Sequence, residues 1–103
     1  MDKEKLEKHY KNLDEMTTEF LMGNNEFKNG SNQEKRDAGY RKIENVLLRF
    51  EIYVKKDYEL YEYLVKNNDV GAEEHFYWDE LNSLKYFGRD MPRILSKMQN
   101  ELE

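Results

Sequence analysis

Two histidines, His9 and His75, are the side chains of this 103-residue chain best suited to proton transfer or metal ligation. His75 directly follows Glu73 and Glu74. Helices that ligate metals use spacings such as Glu-x-x-His, so that both donors share a face while further ligands arrive from facing helices. Adjacent Glu-Glu-His positions diverge by about 100° per residue around a helix and do not converge on one ion. His9 lies beside the apolar seam of an amphipathic segment and reads as a surface or boundary residue. Serine catalysis needs a hydroxyl next to a base and an oxyanion hole. Ser31, Ser83 and Ser96 stand in no nucleophile-elbow context, and no glycine-rich phosphate loop is present. The chain has no cysteine, which excludes disulfide and thiolate chemistry. The expectation is a non-enzymatic protein with no catalytic residue, no cofactor and no metal.

A different chemistry is legible in the last third. Residues 68–103 carry eight acids and four bases, against seven and five in 1–31 and seven and eight in 32–67. Within Asp69–Glu80 there are five acids, no Lys or Arg, and three consecutive aromatics. Phe76, Tyr77 and Trp78 cannot all face one core from a helix, because neighbours point about 100° apart. Aromatic rings supply anchoring area and carboxylates steer a basic partner. Asp69, Glu73, Glu74, Phe76, Tyr77, Trp78, Asp79 and Glu80 are therefore the expected partner-binding residues.

The net charge of −5 and pI near 5.2 disfavour direct nucleic-acid binding, which needs a positive footprint, and disfavour anionic membrane surfaces. A basic protein partner is permitted. The aromatic share of 14% argues against disorder, and the length fits one domain with a modest core. The opening MDKEKLEKHYKNL has no apolar signal-peptide core, and a cytoplasmic location is expected. The abundance of Lys, Asn, Glu and Tyr suits an AT-rich bacterial or phage genome.

Helices must position these groups. Glu34–Lys66 has no proline and one glycine, Gly39. Tyr40, Ile43, Leu47, Phe50, Val54, Tyr58, Tyr61 and Val65 recur at the spacing of one helix face. The spacing predicts a central helix over 32–66, about 50 Å long if continuous, with Lys55-Lys56-Asp57 as the place for a bend. Ser31 and Glu34 fit a capping box at its start. A first helix is expected over 2–22, with Leu6, Tyr10, Leu13, Thr17 and Phe20 as its seam. Gly23 should stop it, GNNEFKNGSNQ should form a loop, and Phe27 should plug the end of the bundle. A third helix is expected over 72–87, ended by Gly88. A fourth, over 91–102, should be capped by Asp90 with Pro92 in its first turn. The fold class expected is all-α, a small antiparallel four-helix bundle built on the long central helix.

On that helix Lys35, Lys42, Arg49 and Lys56 form a positive shoulder; Asp37, Glu44, Glu51 and Glu62 form a negative one. The acidic third segment is expected to lie along the positive shoulder, or two copies to pair antiparallel through the shoulders. Leu48, Ile52 and Tyr63 fall opposite the apolar stripe and mark a possible homodimer face. Together these features suggest an inhibitor or modulator of a basic, nucleic-acid-binding or nuclease-type protein. In size and charge, though in no motif, this is analogous to nuclease immunity proteins and phage-encoded anti-defence inhibitors. The alternatives are a self-associating helical adaptor and, further off, a hydrolase.

Overall fold

The computed structural model describes residues 1–67 and 90–103. Among these the chain is all-helical, with no strand. Helix α1 spans Lys3–Asn29, α2 Gln33–Lys55, α3 Tyr58–Lys66 and α4 Met91–Leu102. The helix expected over 72–87 lies outside the described residues. No described helix is long and apolar enough to cross a membrane.

α1 begins where the Asp2 carboxylate accepts the Lys5 backbone N–H at 2.8 Å, an N-cap that satisfies one orphan donor. It does not stop at Gly23 but continues to Asn29. Gly23 is buried where α1 crosses Gly39 of α2. A Cβ on Gly39 would lie 2.5 Å from the Phe27 nitrogen and 2.6 Å from the Gly23 oxygen. The glycines are there for close backbone approach, not for a turn. Each costs about 1 kcal/mol of helix propensity relative to alanine, offset by the packing that the approach allows. The connection to α2 shrinks to Gly30–Asn32, and Asn32 rather than Ser31 caps α2, accepting from the Lys35 N–H at 2.9 Å. Phe27 does not plug a bundle end. It is part of α1, substantially exposed, with its ring 5.5 Å from that of Tyr40.

α1 and α2 run antiparallel, as their ion pairs show. Glu26 meets Lys42 at 2.8 Å and Glu19 meets Arg49. Among the described residues, the positive shoulder is thus met by α1 at these two positions. Such exposed pairs contribute under about 1 kcal/mol each and serve register more than stability. The buried stripe of α2 is Gly39, Ile43, Val46, Phe50 and Val54. It is rotated from the expected one: Tyr40 is exposed and Leu47 half-buried. The glycine crossing turns Gly39 inward and carries the rest of the helix with it. Thr17 is buried in the α1 seam, where its hydroxyl donates to the Leu13 carbonyl at 2.8 Å.

The central helix is not continuous. Asp57 is extended and separates α2 from α3. Beyond the break Leu60 and Leu64 are fully buried, whereas Tyr58 is 72% exposed and Tyr61 and Val65 are half-buried. α4 occupies the span that its sequence pattern predicts, with Met91, Ile94, Leu95 and Met98 buried and Pro92 at its start. Asp90 makes no side-chain cap bond: its backbone is already helical, so its carboxylate does not reach back over the first turn.

Candidate functional site

The expected partner-binding residues Asp69, Glu73, Glu74, Phe76, Tyr77, Trp78, Asp79 and Glu80 lie outside the described residues, as does His75. The three candidates for self-association are separated by the break in the helix. Leu48 and Ile52 remain on the outer face of α2, 57% and 48% exposed. Tyr63 sits on α3, packs partly against the core, and donates its hydroxyl to the Glu101 carboxylate of α4 at 3.0 Å. Burial, followed by this carboxylate, pushes the Tyr63 phenol well above its usual range.

The site that the structure does assemble joins α1 to the break. Lys5, His9 and Asn12 recur at i, i+4 and i+7 and share one side of α1. The end of α2 contributes Tyr53, and the break contributes Asp57. His9 is buried, contrary to its expected surface position. Its Nδ1 lies 2.5 Å from the Tyr53 hydroxyl and its Nε2 3.0 Å from Asp57 Oδ2. Asn12 Nδ2 donates to the Tyr53 oxygen at 3.0 Å. Lys5 Nζ lies 3.2 Å from Asp57 Oδ2 and 3.0 Å from Glu59 Oε1. Asp57 Oδ1 also accepts the Leu60 N–H at 3.2 Å and so caps α3.

One assignment of protons satisfies the group. The neutral imidazole donates Nε2–H to Asp57 and accepts at Nδ1 from the Tyr53 hydroxyl, whose oxygen in turn accepts from Asn12. The charges follow from these contacts. Burial pushes the Asp57 carboxyl upward, but the Leu60 N–H, Lys5 and His9 together outweigh it and hold the group below the usual carboxylate range. Glu59 and then Asp57 raise the Lys5 ammonium. Burial, against the pull of Asn12, raises the Tyr53 phenol.

No family model, curated protein or solved structure matches this chain. The functional reading therefore rests on the residues themselves. Among the described residues, no three His, Asp or Glu side chains gather as they would around a metal ion. The Asp57–His9–Tyr53 line has the connectivity of a proton relay, but it ends on a phenol held against ionisation. The geometry is that of a clasp holding the start of α1 against the α2–α3 junction. Its sequence signal was the Lys5-His9-Asn12 spacing beside the Leu6–Leu13 seam. The partners Tyr53 and Asp57 lie more than forty residues away and cannot be paired with it from sequence.

The clasp has an acid limit. Asp57 has a lower pKa folded than unfolded, so its stabilisation is present above the unfolded carboxyl value of about 4 and is lost as pH falls through the folded one. Asp57→Asn keeps an oxygen to cap Leu60 and removes the charge that faces Lys5 and His9. The variant is expected to be about 1–2 kcal/mol less stable at neutral pH, with the gap closing as pH falls below the ordinary carboxyl value of about 4. Urea titrations at pH 7, 5 and 3 measure this. A gap that is constant with pH would mean the charge does no such work.

Proposed function

We propose that this protein is a small acidic, non-enzymatic interaction protein that binds and modulates a protein with a basic, nucleic-acid-binding or nuclease-type surface. The observation that carries the reading is the Asp69–Glu80 stretch, with five carboxylates, no Lys or Arg, and Phe76-Tyr77-Trp78 at its centre. Its anchors support the same reading. The helices on either side bury Leu60, Leu64, Met91 and Ile94 in one core. The scaffold itself reads as an antiparallel helical bundle around α2. Size, charge and composition suit an immunity-like or anti-defence role in the cytoplasm, encoded by a phage or another mobile element.

The test is binding of the full chain to a panel of purified basic nuclease domains, read by calorimetry. Trp78→Ala is expected to weaken the interaction about 30-fold, as a loss of roughly 2 kcal/mol at an anchor would. Reversal of Glu73, Glu74, Asp79 and Glu80 to Lys should slow association and reduce its salt dependence. Binding that survives both changes intact would place the contact surface elsewhere.

A second reading, self-association, is favoured by the exposure of Leu48 and Ile52 one turn apart on α2. Sedimentation of a monomer at high micromolar concentration would overturn it.

A further inference from the structure

The junction between α2 and α3 breaks at one residue, and no helix breaker is present. Lys55-Lys56-Asp57-Tyr58 contains neither glycine nor proline. Lys56 is helical, with φ −79° and ψ −14°; Asp57 alone is extended, with φ −136° and ψ 97°. Hydrogen bonding resumes at once on both sides. The Asp57 N–H donates to the Val54 carbonyl and the Tyr61 N–H to the Asp57 carbonyl, each at 3.1 Å. Returning this one residue to helical φ and ψ would join α2 and α3 into a single helix.

The sequence beyond the break carries contact residues for both forms. At 100° per residue, Tyr61 falls about 20° from the centre of the α2 buried stripe and Leu60 about 80° from it. The structure reverses that order: Leu60 is fully buried and Tyr61 only half-buried. A continuous helix would bring Tyr61 inward and move Leu60 to the edge. Leu64, about 40° from the centre, would stay inside in both forms. On the outer side of the break, Tyr58 and Tyr61 stack with ring centroids 6.2 Å apart. Together with Val54 and Lys55 they line, among the described residues, a cavity of about 280 Å³.

What selects the broken form is the Asp57 side chain. It caps α3 through the Leu60 N–H, and α1 holds it through Lys5 at 3.2 Å and His9 at 3.0 Å. Within a continuous helix Asp57 would lose its cap bond and be a poor helix former. We propose that Asp57 is a one-residue hinge, latched by Lys5 and His9, about which α3 switches between the broken form and a helix continuous with α2. The switch exchanges Leu60 for Tyr61 in the core and changes the direction of α3 relative to α2. It does not rest on that following segment binding anything.

NMR on the full chain tests the hinge. A broken helix leaves the first-turn amides of Tyr58 and Glu59 without carbonyl partners one turn back. In the native protein these amides should exchange rapidly with solvent, and the Asp57 Cα shift should be that of extended backbone. Asp57→Leu removes the cap and the latch and supplies a good helix former. It is expected to give a helical Cα shift at position 57 and to slow exchange at Tyr58 and Glu59 at least tenfold. Lys5→Met leaves the cap and removes half of the latch. It is expected to increase the exchange contribution to relaxation at the amides of residues 57–61 at least threefold. A folded Asp57→Leu protein with the native shift and exchange rates would overturn the proposal. If that variant does not fold, unchanged relaxation in Lys5→Met would overturn it.

Discussion

Gly39→Ala is expected to destabilise the protein by about 2–3 kcal/mol, although alanine is the better helix former. The propensity term favours the variant by about 1 kcal/mol. Against it stands a new Cβ 2.5 Å from the Phe27 nitrogen, 2.6 Å from the Gly23 oxygen and 2.8 Å from the Glu26 Cβ. Two of these are backbone atoms of α1 and have no rotamer to move into. α1 and α2 must therefore part locally, loosening the packing of Phe20 and Ile43 beside the crossing. Overpacking of this kind costs about 1–3 kcal/mol where side chains can adjust, and more where backbone must move. In a domain of this size the loss is a drop of roughly 10–15 °C in melting temperature, read by circular dichroism. Lys42→Ala, which removes only the exposed pair with Glu26, should change stability by less than about 1 kcal/mol. A melting temperature for Gly39→Ala at or above that of the native protein would mean that the helices are not in backbone contact.

The second large effect is expected at Phe50. Its side chain is fully buried at the centre of the α2 stripe, and Phe50→Ala leaves a void as well as losing the transfer free energy of the ring. The loss should be about 3–5 kcal/mol, a large part of the 5–15 kcal/mol typical of whole domains. Leu48 lies two residues earlier, on the opposite side of the same helix, and is 57% exposed. Leu48→Ala should change stability by no more than about 0.5 kcal/mol. Urea unfolding of the two variants thus separates the buried face of α2 from its outer face. A similar loss in both would contradict the placement of the helix.

The outer face bears on function through what remains on it. Leu48 and Ile52 are the two of the three expected dimer residues that the fold leaves exposed, while the Tyr63 hydroxyl is engaged by Glu101. Any self-association thus has a narrower apolar footing than the sequence suggests. A patch of two aliphatic side chains is small beside the roughly 800 Å² that each partner contributes to a stable interface. The acidic aromatic stretch, with three large rings and five carboxylates, is the contact surface proposed for a partner.

Periodicity alone is enough to read the helical class, the span of α4, and the seam of α1 at Leu6, Leu13, Thr17 and Phe20, while Tyr10 of that seam is only half-buried and His9 beside it is buried. Each of these readings follows from a local rule, that apolar residues recurring every three or four positions share one face of a helix. Composition was likewise enough to read the charge layout and the acidic aromatic stretch, since neither depends on what packs where. The errors came where a residue's meaning depends on a distant partner. Gly23 reads as a stop, because glycine is a poor helix former, until Gly39 is placed against it. His9 reads as a surface residue until Tyr53 and Asp57 close over it. The residues 55–58 carry no breaker, so only the contacts of Asp57 with Lys5, His9 and the Leu60 N–H account for an extended residue there. The contacts with Lys5 and His9 span about fifty residues of chain, and local propensity holds no record of them; the Leu60 cap alone is local. Tertiary structure therefore decided that Gly23 and Gly39 are packing surfaces, that His9 is core, and that the long helix does divide, at Asp57 within the Lys55-Lys56-Asp57 bend that the sequence marks.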